Sequence, residues 1–202
     1  MSATPDPYAL PPDLPVPVDD GAADHLDGAT VPRLSLPASS GGAIDLAAAA
    51  QDTLVLYCYP RTGRPGEPLP PGWDEIPGAR GCTPQSCAFR DHFAELDALG
   101  ARVLGLSAQT RPDQVEFAER VGLPYPLLSD PGLELAAALR LPTFEVAGMR
   151  LYRRLTLIAR DARIVKAFYP VFPPDRNAAD VVAWLSRSPS ARVDATEPPM
   201  GA

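Results

Sequence analysis

The sequence predicts an α/β sandwich in which a mixed central sheet is flanked by helices. Two nearly continuous apolar runs, residues 53–59 and 102–106, have the character of strands covered on both faces. Each is followed by an amphipathic helical pattern, and a final pair of strand-like segments leads into a last helix.

Residues 1–33 are rich in proline and aspartate and read as an extended N-terminal arm, with one short helix around residues 22–26. Residues 34–36 and 43–46 flank Ser39 to Gly42 as a hairpin. The central strand, 53–59, opens into a long loop at 60–81 that carries Pro65, Pro68, Pro70, Pro71 and Pro77. Loops of that length inside a domain are uncommon and usually functional or mobile. This one leaves the carboxyl end of a buried strand, where open α/β sheets place their sites.

A helix is expected over residues 84–99, with Thr83 as N-cap and Pro84 at the first helical position. Ala88, Phe89, Phe93, Leu96 and Leu99 recur on one face, and Gly100 ends the run. A strand at 102–106, a helix at 112–121, a short strand at 127–128 and a helix at 133–139 follow. Strands at 151–159 and 163–168 are joined at Arg160, Asp161 and Ala162. A helix at 178–186, carrying Val181, Val182, Trp184 and Leu185, closes a single domain of residues 34–187. The tail, 188–202, has the composition of a disordered segment.

At 202 residues, 46% hydrophobic and 21% charged, the chain suits one soluble globular domain. A net charge of -7 argues against nucleic-acid or anionic-membrane binding. No stretch has the length of a membrane-spanning helix, and residues 1–14 lack the pattern of a signal peptide, so a reducing cytoplasm is the expected compartment. There, three cysteines suit redox chemistry or burial rather than a disulfide framework. His25 and His92 form no metal-ligand spacing with them.

Cys82 and Cys87 are the most informative pair. Cys82 falls just before the expected helix start and Cys87 about one turn inside it. A sulfur there faces unpaired backbone N–H groups and the positive end of the helix dipole, which favour its ionised, nucleophilic form. Two ordinary core cysteines are the alternative. Cys58, inside the 53–59 run, reads as core, and His92 as a surface or capping residue. Trp73 and Asp74 suit either a cover over the site or a partner-binding surface.

The run from Leu54 to Pro60, then Gly81-Cys82-Thr83 and Cys87-Ala88-Phe89-Arg90-Asp91, resembles the peroxiredoxins. The nearest branch is the Q type, named also for the bacterioferritin comigratory protein. Val103 to Ser107, Phe117-Ala118 and Gly122 to Asp130 continue the likeness, which covers roughly residues 34–185. The resemblance implies a thioredoxin-like fold, thiol-dependent reduction of peroxides, no cofactor, a thioredoxin-like dithiol reductant and a monomer or weak homodimer. It implies Cys82 as the peroxidatic cysteine and Cys87 as the resolving one. Arg154, on a segment similar to the family's arginine-bearing strand, would be the active-site arginine, with Arg153 next in line.

Two departures stand out. Ala79 and Glu75 occupy the places of the family's threonine and proline, and about fifteen extra residues, 67–81, separate Pro60 from Cys82. Thr62 and Thr83 are the candidates to replace the missing hydroxyl. The competing readings are a thiol–disulfide exchange or redox-sensing protein with weak peroxidase activity, and a binding module whose thiols are incidental.

Overall fold

The computed structural model describes residues 10–188. The arm is laid onto the domain. Leu26, in a 3-10 turn at Asp24–Leu26, is fully buried, and Val31 N–H donates to the Ala162 carbonyl at 2.8 Å. Strands β1 (Ser35–Pro37) and β2 (Ala43–Asp45) form the expected hairpin. Asp45 then accepts from the Ala48 N–H and caps the single turn α1 (Leu46–Ala49).

Strand β3 (Thr53–Cys58) is buried along its whole length. It pairs in parallel with β4 (Ala101–Ser107), which pairs in parallel with β5 (Leu127–Ser129). On its other side β3 runs antiparallel to β8 (Leu155–Arg160), and β8 runs antiparallel to β9 (Arg163–Phe168). The order β5-β4-β3-β8-β9 makes a mixed sheet. Leu54, Leu56 and Cys58 pack on one face with α1, the arm and α5 (Glu134–Leu139). Val55, Tyr57 and Tyr59 pack on the other face against α2 (Cys82–Asp91), α4 (Arg111–Val121) and α6 (Asn177–Arg187). The period-2 alternation of β3 thus feeds two cores at once.

The structure differs from the sequence expectations at three places. The helix expected over 84–99 is two helices, α2 and α3 (Phe93–Ala98), separated at His92. Helix α2 begins at Cys82 rather than Pro84, with Gly81 rather than Thr83 preceding it. Pro84 still lies in the first turn, where a missing N–H has no helical partner to lose. The strand expected at 151–159 is interrupted. Leu151 belongs to a separate hairpin of β6 (Thr143–Val146) and β7 (Met149–Tyr152), and β8 starts only at Leu155. The tail expected to be disordered lies, beyond Ser188, outside the described residues.

Candidate active site

The long loop after β3 does not leave the protein. Trp73, in a 3-10 turn at Trp73–Glu75, is 3% exposed and packs with Ala79, Val146 and Leu151, its ring 6.2 Å from that of Phe144. The β6–β7 hairpin therefore supplies the floor on which the loop folds. Asp74 and Arg80 pair at 3.0 Å. The loop ends at Gly81, whose φ of 98° and crowded surroundings both demand glycine. A Cβ there would stand 2.3 Å from Pro174 Cγ.

That turn delivers Cys82 as the first residue of α2, at the base of a cleft of about 440 Å³. Arg61, Thr62, Leu69 and Trp73 from the loop line the cleft, together with Thr83 and Leu10. The cysteine is only 4% exposed, so a reactant must enter the cleft to reach it.

Arg154 sits in the two-residue link between β7 and β8 and is 3% exposed. Its Nη2 donates to Cys82 Sγ at 3.2 Å, to the Ala79 carbonyl at 3.2 Å and to the Arg80 carbonyl at 3.0 Å. Its Nε donates to the Gly78 carbonyl at 3.3 Å, and its Nη1 to Gln85 Oε1. Gln85 Nε2 donates to Asn177 Oδ1 at 2.9 Å, and Thr156 Oγ1 donates to the same oxygen at 2.6 Å. Gln85, Asn177 and Thr156 are all buried. The guanidinium is thus clamped by neutral acceptors, and among the described residues it makes no ion pair with a carboxylate. A buried cation so placed is oriented to stabilise negative charge that develops beside the Cys82 sulfur during a reaction. Arg153 instead lines a small cavity with Pro17 and Tyr169.

Cys87 lies in the same helix, 8% exposed, and burial pushes its thiol above the usual range, with Asp91 adding to the rise and Arg90 opposing it. All three cysteines are free. Residues five apart in one intact helix have Cα atoms about 8 Å apart, and a disulfide tolerates about 7 Å at most. The start of α2 must unwind before these sulfurs can bond. The next turn is anchored, because Tyr57 donates to Ser86 Oγ at 3.0 Å and Tyr125 to the Ser86 carbonyl at 2.8 Å.

Neither threonine named from the sequence donates to Cys82. Thr62 instead donates to Gln109 Oε1, through Oγ1 at 3.1 Å and through its N–H at 2.7 Å. Thr83 lines the cleft. Cys82 Sγ is instead 3.7 Å from the Ala79 carbonyl. Cys58 is fully buried on the opposite face of the sheet, and burial raises its thiol far above the usual range. His92 caps the end of α2 through its N–H and pairs with Glu95 at 3.0 Å. Sequence reasoning missed Gln85, Asn177 and Thr156. Only Gln85, an amide inside the cysteine motif, carried a readable signal.

Among the described residues no helix is long and apolar enough to cross a membrane, and no cluster of His, Cys, Asp and Glu is suited to hold a metal ion.

Known proteins resemble this chain in both sequence and fold. The family model described as Redoxin matches residues 26–183. The chain is 33% identical over 150 residues to the protein called Peroxiredoxin bcp1 of Schizosaccharomyces pombe, covering 73% of this chain and 68% of that one. It is 27% identical over 158 residues to the chloroplastic Peroxiredoxin Q of Gentiana triflora, covering 78% of this chain and 65% of the relative. The crystal structure of Peroxidoxin BcpB from Mycobacterium tuberculosis superposes with a TM-score of 0.65 at 27% identity, over 80% of this chain and 96% of that one. With its five-stranded mixed sheet and flanking helices, the chain belongs to the Redoxin family and, within it, to the thioredoxin-like peroxiredoxins of the Q and bacterioferritin comigratory type, which are thiol-dependent peroxidases.

Proposed function

We propose that Cys82 is the peroxidatic cysteine, Cys87 the resolving cysteine, and Arg154 the group that activates the first and stabilises charge in its reaction. The observation that supports this most directly is the Arg154 guanidinium, 3.2 Å from Cys82 Sγ at the start of α2. The Cys82 thiolate attacks one oxygen of a hydroperoxide in line, and the O–O bond breaks. The departing oxygen takes a proton and leaves as water or an alcohol, and Cys82 becomes a sulfenic acid. Negative charge spreads over sulfur and both oxygens in the transition state, where Arg154 and the first N–H groups of α2 are already oriented. Cys87 then attacks the Cys82 sulfur as its thiolate. Water is released and a disulfide forms, which a thioredoxin-like dithiol reduces by exchange.

The proposal includes a monomer or weak dimer in the cytoplasm. Three free thiols in one chain suit such a reducing compartment.

One observation favours a second reading. Ala79 offers a carbonyl where the family pattern has a hydroxyl, so thiol–disulfide exchange with weak peroxidase activity remains the competitor. Replacing Cys82 by Ser separates the two. Loss of peroxide consumption is expected. Loss of dithiol exchange alone, in a protein that never consumed peroxide, would favour the competitor.

A further inference from the structure

The Redoxin match begins at residue 26, yet the segment ahead of it reaches the cysteine. Asp20 accepts from the Tyr169 hydroxyl at 2.9 Å. Pro17 comes within 3.5 Å of the place a Cβ on Gly78 would occupy, and lines the small cavity that also touches Arg154. Leu10 lines the Cys82 cleft, 2.9 Å from the place of a Cβ on Gly81. Between these points Val16 and Val18 face solvent, 63% and 80% exposed, while Pro15 and Pro17 are half-buried. The arm lies along the domain as an extended strip with one side down.

Beneath it runs the backbone that holds Arg154. The carbonyls of Gly78, Ala79 and Arg80 all accept from that guanidinium. Gly78 and Gly81 both have positive φ and no side chain, so this stretch has little stiffness of its own. Packing from outside decides where its carbonyls point. The arm is suited to supply it, because its prolines restrict the free chain and lower the entropy lost on docking.

We propose that Leu10 and Pro17 are positioning residues of the peroxidatic site: they press the 78–81 backbone onto Arg154, and so hold Arg154 against Cys82. The proposal rests on the peroxidatic reading of Cys82. The same strip must yield when the start of α2 unwinds for Cys87. Loosening it therefore acts in opposite directions on the two chemical steps, slowing attack on peroxide and speeding disulfide formation.

The test uses the full chain with L10S/P17G and, separately, Tyr169→Phe, which unties the strip at Asp20 without touching Leu10 or Pro17. In stopped-flow mixing with hydrogen peroxide, followed by tryptophan fluorescence, oxidation of Cys82 should slow by about tenfold in the double variant, as expected for a misplaced catalytic group. The later disulfide phase should accelerate, and Tyr169→Phe should show both effects in milder form. Unchanged rates, or both rates falling together with the melting temperature, would overturn the proposal. Amide hydrogen exchange on the reduced protein, without peroxide, gives an independent decision. Protection at residues 78–85 should drop in both variants, and unchanged protection refutes the strip's role. Failure of the parent protein to react with peroxide would instead refute the peroxidatic reading, and the exchange measurement would still judge the strip.

Discussion

Replacing Arg154 by Met removes the donor 3.2 Å from Cys82 Sγ while keeping much of the side chain's bulk. Two unit charges at that distance attract by about 5 kcal/mol at an effective dielectric constant near 20. Desolvation of the buried cation offsets part of this. The net loss should resemble removal of one preorganised donor from a reacting oxyanion, about 10²–10³-fold in rate. The substitution also strands the carbonyls of Gly78, Ala79 and Arg80, so a lower melting temperature should accompany it. Arg154→Lys is the control that separates charge from geometry. It keeps the cation, yet one ammonium cannot serve the sulfur, three carbonyls and Gln85 together, so a loss of about tenfold is expected. Single-turnover mixing with hydrogen peroxide in a Cys87→Ser background reads the first step alone, with dimedone trapping to identify the sulfenic acid. Oxidation of the folded Met variant within about threefold of its parent would refute the role given to Arg154.

Cys87→Ser should leave the first peroxide turnover intact but abolish dithiol-driven cycling, with Cys82 trapped as sulfenic acid in intact-mass spectra. Burial raises the Cys87 thiol, so its thiolate is scarce at neutral pH. The disulfide phase should therefore quicken about tenfold per pH unit until pH passes that raised value, then level off, in stopped-flow records across pH 6–10. Gly81→Ala meets both a φ of 98° and Pro174 Cγ at 2.3 Å. It should cost at least ~2 kcal/mol, or about 4–8 °C in melting temperature by calorimetry.

Much of the fold was legible because burial on both faces leaves an unmistakable apolar run, as in β3 and β4. The β6–β7 hairpin was hidden for two reasons. Its turn places Ala147 and Gly148 at positive φ without the Asn-Gly or Asp-Gly signal that usually marks such turns. Leu151 and Tyr152 also adjoin the apolar run of β8 across only Arg153 and Arg154, so two strands read as one. The break at His92 likewise carries neither glycine nor proline. Cys82 and Cys87 stand out from spacing, and Arg154 only through resemblance, since nothing local distinguishes it from Arg153. Gln85, Asn177 and Thr156 meet from three distant parts of the chain, and no one-dimensional pattern records that encounter.

The three thiols lie at different depths in terms of what must move to reach them. Cys82 opens onto a cleft, Cys87 lies one turn further along the same helix with a little of its surface exposed, and Cys58 is fully buried on the far face of β3. Alkylation of the native protein therefore dissects its motions. Cys82 and Cys87, both slightly exposed, should label in the folded protein at the pace of reagent entry. Cys58 labels only when the whole domain comes apart, so its modification is a built-in clock for global unfolding.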